Sequence, residues 1–135
     1  MKIKRGNELA LHRALKNAAK AYAHALGFPL VIFECCSDVL AMRRVGQRFE
    51  RLAIEVQLST KHVVQNIVRD LSSGANSVVI VTPTESLATR IRSLINEKLS
   101  EYLKDRVTVL SASALSQSPV KKTSHQLRKP QSIQN

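Results

Sequence analysis

Apolar residues recur every three or four positions through NELALHRALKNAAKAYAHAL, residues 7–26. Leu9, Leu11, Leu15, Ala18, Ala19, Tyr22 and Leu26 form a broad stripe, which predicts an amphipathic helix with Asn7 as its cap and Gly27 as its stop. FPLVIFECC then has strand composition, as do DVLAMRRV and, after a turn at Gly46, FERLAIEVQL. These three segments predict a meander. In KHVVQNIVRDLSS the period lengthens to that of a helix, with Val63, Val64, Ile67, Val68 and Leu71 on the apolar side. Ser59 or Thr60 is its expected cap and Gly74 its end. NSVVIVT, residues 76–82, is nearly all apolar, as a strand covered on both faces should be. A helix over 84–103 follows, carrying Leu87, Ile91, Leu94, Ile95, Leu99 and Tyr102, and RVTVL at 106–110 is the last strand.

The order αβββαβαβ predicts an α/β fold with a mixed central sheet and flanking helices. The span from the third strand through its helix to the fourth has the length of a right-handed parallel crossover. Residues 1–110 are expected to form this domain. The remainder, 111–135, is rich in Ser and Gln, contains four Lys or Arg and no acid, and is expected to be a basic, flexible tail.

Composition adds a partner class. The chain has 135 residues, with 21 Lys and Arg against 10 Asp and Glu, a formal charge of +11. Residues 1–110 still hold 17 basic residues against 10 acidic ones, so the charge belongs to the domain as well as to the tail. Such an excess favours a polyanion, most simply DNA or RNA. Cys35 and Cys36 are adjacent and suit neither a disulfide framework nor a zinc site. No apolar run reaches transmembrane length, and MKIKRGNELA lacks a signal-peptide apolar block. A cytoplasmic protein without a membrane partner is expected.

The polar residues inside the pattern carry the candidate chemistry. Glu55 and Gln57 share one face of the third strand between Ile54, Val56 and Leu58, and Asp38 opens the second strand. If the strands pair, Asp38 falls near Glu55, where two carboxylates repel and burial raises the cost of ionising either. A divalent cation would relieve both effects. Mg²⁺ takes hard oxygen ligands and needs only one or two protein carboxylates besides substrate phosphate. Glu8, in the first turn of the first helix, is a third candidate ligand. Lys61 lies just beyond the strand, within reach of a phosphate or attacking water. The competing reading makes each acid an edge or salt-bridge residue.

RGNELALHRAL, SDVLAMRR and RLAIEVQLSTKH together resemble the PD-(D/E)xK restriction-endonuclease-like superfamily, particularly its Holliday-junction-resolvase-like branch. The resemblance spans residues 5–110. It implies a helix acid at Glu8, the motif Asp at Asp38 and the first signature acid at Glu55, around Mg²⁺ or Mn²⁺. It also implies hydrolysis of DNA, branched or structured forms included, by a protein that pairs as a homodimer. The departure is Gln57, which stands where the family has Lys and can neither carry positive charge nor act as a base; Lys61 is the local substitute. Lys4, Arg5, Arg43, Arg44 and Arg69 are the expected nucleic-acid contacts, against a reading as solvated surface. The missing Lys leaves a second function open: a catalytically inactive DNA- or RNA-binding accessory domain.

Overall fold

The computed structural model describes residues 5–33 and 37–117, the first four of these by backbone alone. Lys4, Cys35, Cys36 and the chain beyond residue 117 therefore lie outside the described residues, as do the side chains of Arg5 and Glu8.

The first helix, α1 (Arg5–Ala25), buries Leu15, Ala19 and Ala23 along one stripe. It ends as its sequence predicts. Gly27 takes φ 101°, its N–H donates to His24 O at 3.0 Å, and the Phe28 N–H reaches back to Ala23 O at 3.1 Å. This is a Schellman closure, and it needs a residue that tolerates the left-handed region.

Three antiparallel strands follow: β1 (Leu30–Phe33), β2 (Val39–Val45) and β3 (Arg48–Val56). The β2–β3 hairpin closes on Val45 opposite Arg48, leaving a two-residue turn in which Gly46 has φ 64°. α2 (Val63–Ser72) then leads to β4 (Ser77–Thr82), and α3 (Glu85–Lys98) with α4 (Glu101–Lys104) leads to β5 (Val107–Ser111). Strands β3, β4 and β5 are parallel, so the sheet runs β1-β2-β3-β4-β5 with one antiparallel and one parallel half.

Alternation along the strands sorts side chains into two layers. Leu52, Ile54, Val56, Val79 and Val81 pack with α1, while Ala53, Val78 and Ile80 pack with Ile67 of α2 and Ile91 of α3. β3 and β4 are covered on both faces, which explains the apolar run of NSVVIVT.

Three local expectations change. Neither Ser59 nor Thr60 caps α2; His62 occupies that position in the left-handed region, φ 61°, without a side-chain cap bond. The helix expected over 84–103 breaks at Leu99, which is extended, and Ser100 starts α4 by accepting from the Leu103 N–H at 3.4 Å. Packed structure also continues past Leu110: Ser111 completes β5, residues 112–117 are helical, and Leu115 is buried beside the α1 layer. Periodicity alone did not reveal Leu115, because a single apolar anchor in a Ser-rich stretch makes no repeat.

Candidate functional site

The β2–β3 pairing brings Asp38 and Glu55 to the same end of the hairpin, with their side chains turned to different layers. Val39 pairs with Ile54, so Asp38, the residue just before β2, lies alongside the end of β3. The Val56 N–H donates to Asp38 Oδ2 at 2.7 Å, extending the β2–β3 connection through a side chain. The other oxygen of Asp38 lies 3.2 Å from His12 Nε2 of α1. Asp38 thus ties the start of β2 to β3 and to α1.

Glu55 faces the opposite layer. It sits between Ile54 and Val56, both of the α1 layer, so alternation turns it toward α2, where it is 4% exposed. Arg69 Nη2 donates to Glu55 Oε2 at 2.7 Å, and the same nitrogen lies 3.2 Å from Asp70 Oδ1. Asp70 is itself 5% exposed, and its Oδ2 has no hydrogen-bond partner among the described residues. Burial foremost, then the neighbouring Asp70 carboxylate and the charge of Asp38, push the Glu55 carboxyl up to about 9, against the lowering effect of Arg69. Near neutral pH Glu55 therefore keeps its proton, and the Arg69 guanidinium lies against both acids.

Gln57 lies one step further along the same face and is 6% exposed. Its amide is fully used: Nε2 donates to Ser59 O at 3.0 Å and to Lys61 O at 3.3 Å, while Oε1 accepts from Asn66 Nδ2 at 3.0 Å. The residue at the signature Lys position thus pins the loop after β3 to α2. Lys61 is exposed, and it meets Gln57 through its backbone carbonyl.

Of the predicted basic contacts, Arg43 is built into the fold. It donates to Glu50 Oε1 at 2.7 Å and Leu26 O at 3.2 Å, and stacks 4.4 Å from the Phe28 ring centroid. Arg44 is exposed, its Nε bonded to Gly46 O. Arg69 is the partner of the acids. Two residues at the site, Asp70 of α2 and His12 of α1, are not among those the sequence singled out. The RD dipeptide at 69–70 held the one available signal, a helix acid only three residues after the buried Ile67.

Asp38 and Glu55 supply hard oxygens of the kind Mg²⁺ prefers. As arranged, however, Asp38 is engaged by Val56 and His12, Glu55 by Arg69, and Gln57 Oε1 by Asn66. Among the described residues no group of three or more His, Cys, Asp or Glu side chains is placed to hold a metal ion. The described donors, in this arrangement, do not make a cation cradle. No described helix is long and apolar enough to cross a membrane. No protein-family model, curated protein or solved structure matches the chain.

Proposed function

We propose that the chain is a nucleic-acid-binding domain whose buried carboxylates hold the site together rather than cut a phosphodiester. The observation that carries this reading is the 2.7 Å hydrogen bond from Arg69 to Glu55, which puts a guanidinium against the carboxyl that a nuclease would give to its metal ion. Gln57, used entirely as a structural clamp, supports it, and the charge of +11 supplies the attraction for a polyanion. The test is binding of single-stranded, duplex and four-way-junction DNA and of matching RNA across a salt series, with product analysis in Mg²⁺, Mn²⁺ and EDTA. Affinity falling linearly in log[salt], with no product under either metal, is the expected outcome.

A second reading, a Mg²⁺- or Mn²⁺-dependent deoxyribonuclease, is favoured by one specific observation: Asp38 accepts a hydrogen bond from the backbone of the residue that follows Glu55. In this reading those two residues, with Glu8, are the metal ligands, and Gln57 and Lys61 assist. Branched DNA is its substrate, cut by a paired homodimer. It requires Arg69 to release Glu55. Metal-dependent cleavage that disappears in Glu55→Ala would establish it and overturn the first.

A further inference from the structure

Phe33 closes β1 at the edge of the sheet, opposite Val39, and remains 46% exposed. Val31, two residues earlier on the same face, is buried under α1. Two ammonium groups of α1 hang over the Phe33 ring: Lys16 Nζ lies 4.7 Å and Lys20 Nζ 5.4 Å from its centroid. These lysines are four residues apart on one helix face, an arrangement in which like charges repel. Beside the ring is a cavity of about 360 Å³ whose described lining is Leu9, His12, Arg13, Lys16, Asn17 and Phe33, with no acid among the described residues. Arg13, Lys16 and Lys20 have no ion-pair partner among the described residues.

A half-exposed aromatic ring with two mobile cations over it and a third beside it suits a ligand that is flat and apolar at its centre and anionic at its margins, which can take the ring face and draw the cations to its edges. A nucleotide in a single strand has that form: its base stacks on an aromatic ring while the flanking phosphates meet Lys and Arg. A base paired within a duplex has no free face to offer. We propose that the groove between α1 and β1 is a stacking subsite for an unpaired base of single-stranded nucleic acid, with Phe33 as the platform and Arg13, Lys16 and Lys20 as the phosphate contacts. Repulsion between the lysines is relieved when phosphates neutralise them. His12 lines the groove and touches Asp38, so the subsite lies directly beside the β2–β3 carboxylate edge.

This subsite rests on the nucleic-acid-binding reading and narrows it to single strands. The test is fluorescence anisotropy on the full chain with a thymidine oligomer and with a duplex of equal length at one salt concentration. Phe33→Leu keeps an apolar side chain and removes the ring. It is expected to weaken single-strand binding about tenfold and leave duplex binding within about twofold. Lys16→Gln with Lys20→Gln is expected to shallow the salt dependence for the single strand by about one to two phosphates. Phe33→Trp should bind like the parent and lose indole fluorescence when the oligomer stacks. Unchanged single-strand affinity in Phe33→Leu, or equal losses on both ligands, would overturn the subsite while leaving nucleic-acid binding intact. A parent chain that binds neither ligand overturns both.

Discussion

Arg69 Nη2 lies 2.7 Å from Glu55 Oε2, joining the end of a central strand to the last turns of the helix that crosses over it. The guanidinium is part-exposed while both of its acids are buried, so its outer edge stays solvated as its Nη2 enters the protein. A planar fork suits this position better than an ammonium, because one group reaches two carboxylates.

Arg69→Ala leaves Glu55 and Asp70 facing each other without a counter-charge. Breaking a buried pair from one side costs about 3–5 kcal/mol, and the exposure of Arg69 lowers the expected loss to about 2–3 kcal/mol. Urea unfolding measures it. Adding Asp70→Asn to the variant removes the acid left without its partner and should recover about half the loss; a double variant no more stable than the single one would contradict the role given to Arg69.

Stability should fall as pH rises. The native Glu55 carboxyl keeps its proton up to about 9, whereas an unperturbed one loses it near 4.5. Across that window the folded state binds more protons than the unfolded state, so deprotonation favours unfolding. The melting temperature is expected to decline between those limits. Glu55→Gln, which does not titrate, should flatten the decline, as thermal scans across the window would record.

Gln57→Ala removes three hydrogen bonds at a buried position and leaves the Ser59 carbonyl and Asn66 amide short of a partner. The expected loss is about 2–3 kcal/mol. Gln57→Lys restores donors to Ser59 O and Lys61 O but not the acceptor for Asn66, and it buries a charge. Denaturant midpoints should therefore place it below the parent.

Gly27→Ala tests the end of α1. Its φ of 101° is strained for any side chain, and an added Cβ would lie 3.3 Å from Arg43 Nη1. A loss of about 1–2 kcal/mol is expected by calorimetry.

Ending the chain after Leu110 removes Leu115, which is 2% exposed in the α1 layer, and Ser111 at the end of β5. By analogy with truncating a buried leucine, this should cost about 2–5 kcal/mol, read from the urea midpoint. Stability equal to the full chain would place the domain boundary at 110 after all.

The element order was legible in the sequence because hydrophobic period is a local property. KHVVQNIVRDLSS repeats at the helical period, and Gly27, Gly46 and Gly74 stand where positive φ is required. The mixed character of the sheet followed from the same pass, since a helix between two apolar strands forces a parallel crossover. The break at Leu99 was not legible: Leu99 and Tyr102 continue an apolar series, and only Ser100, a capping residue, distinguishes one helix from two.

At the site, the sequence by itself determined that Glu55 and Gln57 share a strand face and that Asp38 opens the neighbouring strand, because a period of two leaves no freedom in which face a residue takes. Tertiary structure alone decided what those groups meet. Asp38 turns to His12 of α1, Glu55 to Arg69 and Asp70 of α2, and Gln57 to Asn66, each partner set by how a helix docks on the sheet. Docking angle and register couple residues distant in sequence, and a linear pattern of apolar and polar positions does not record them. For Glu55 that difference decides its chemistry: the strand predicts a buried acid, and the helix above it adds a second carboxylate that helps burial hold the proton and a guanidinium that opposes it.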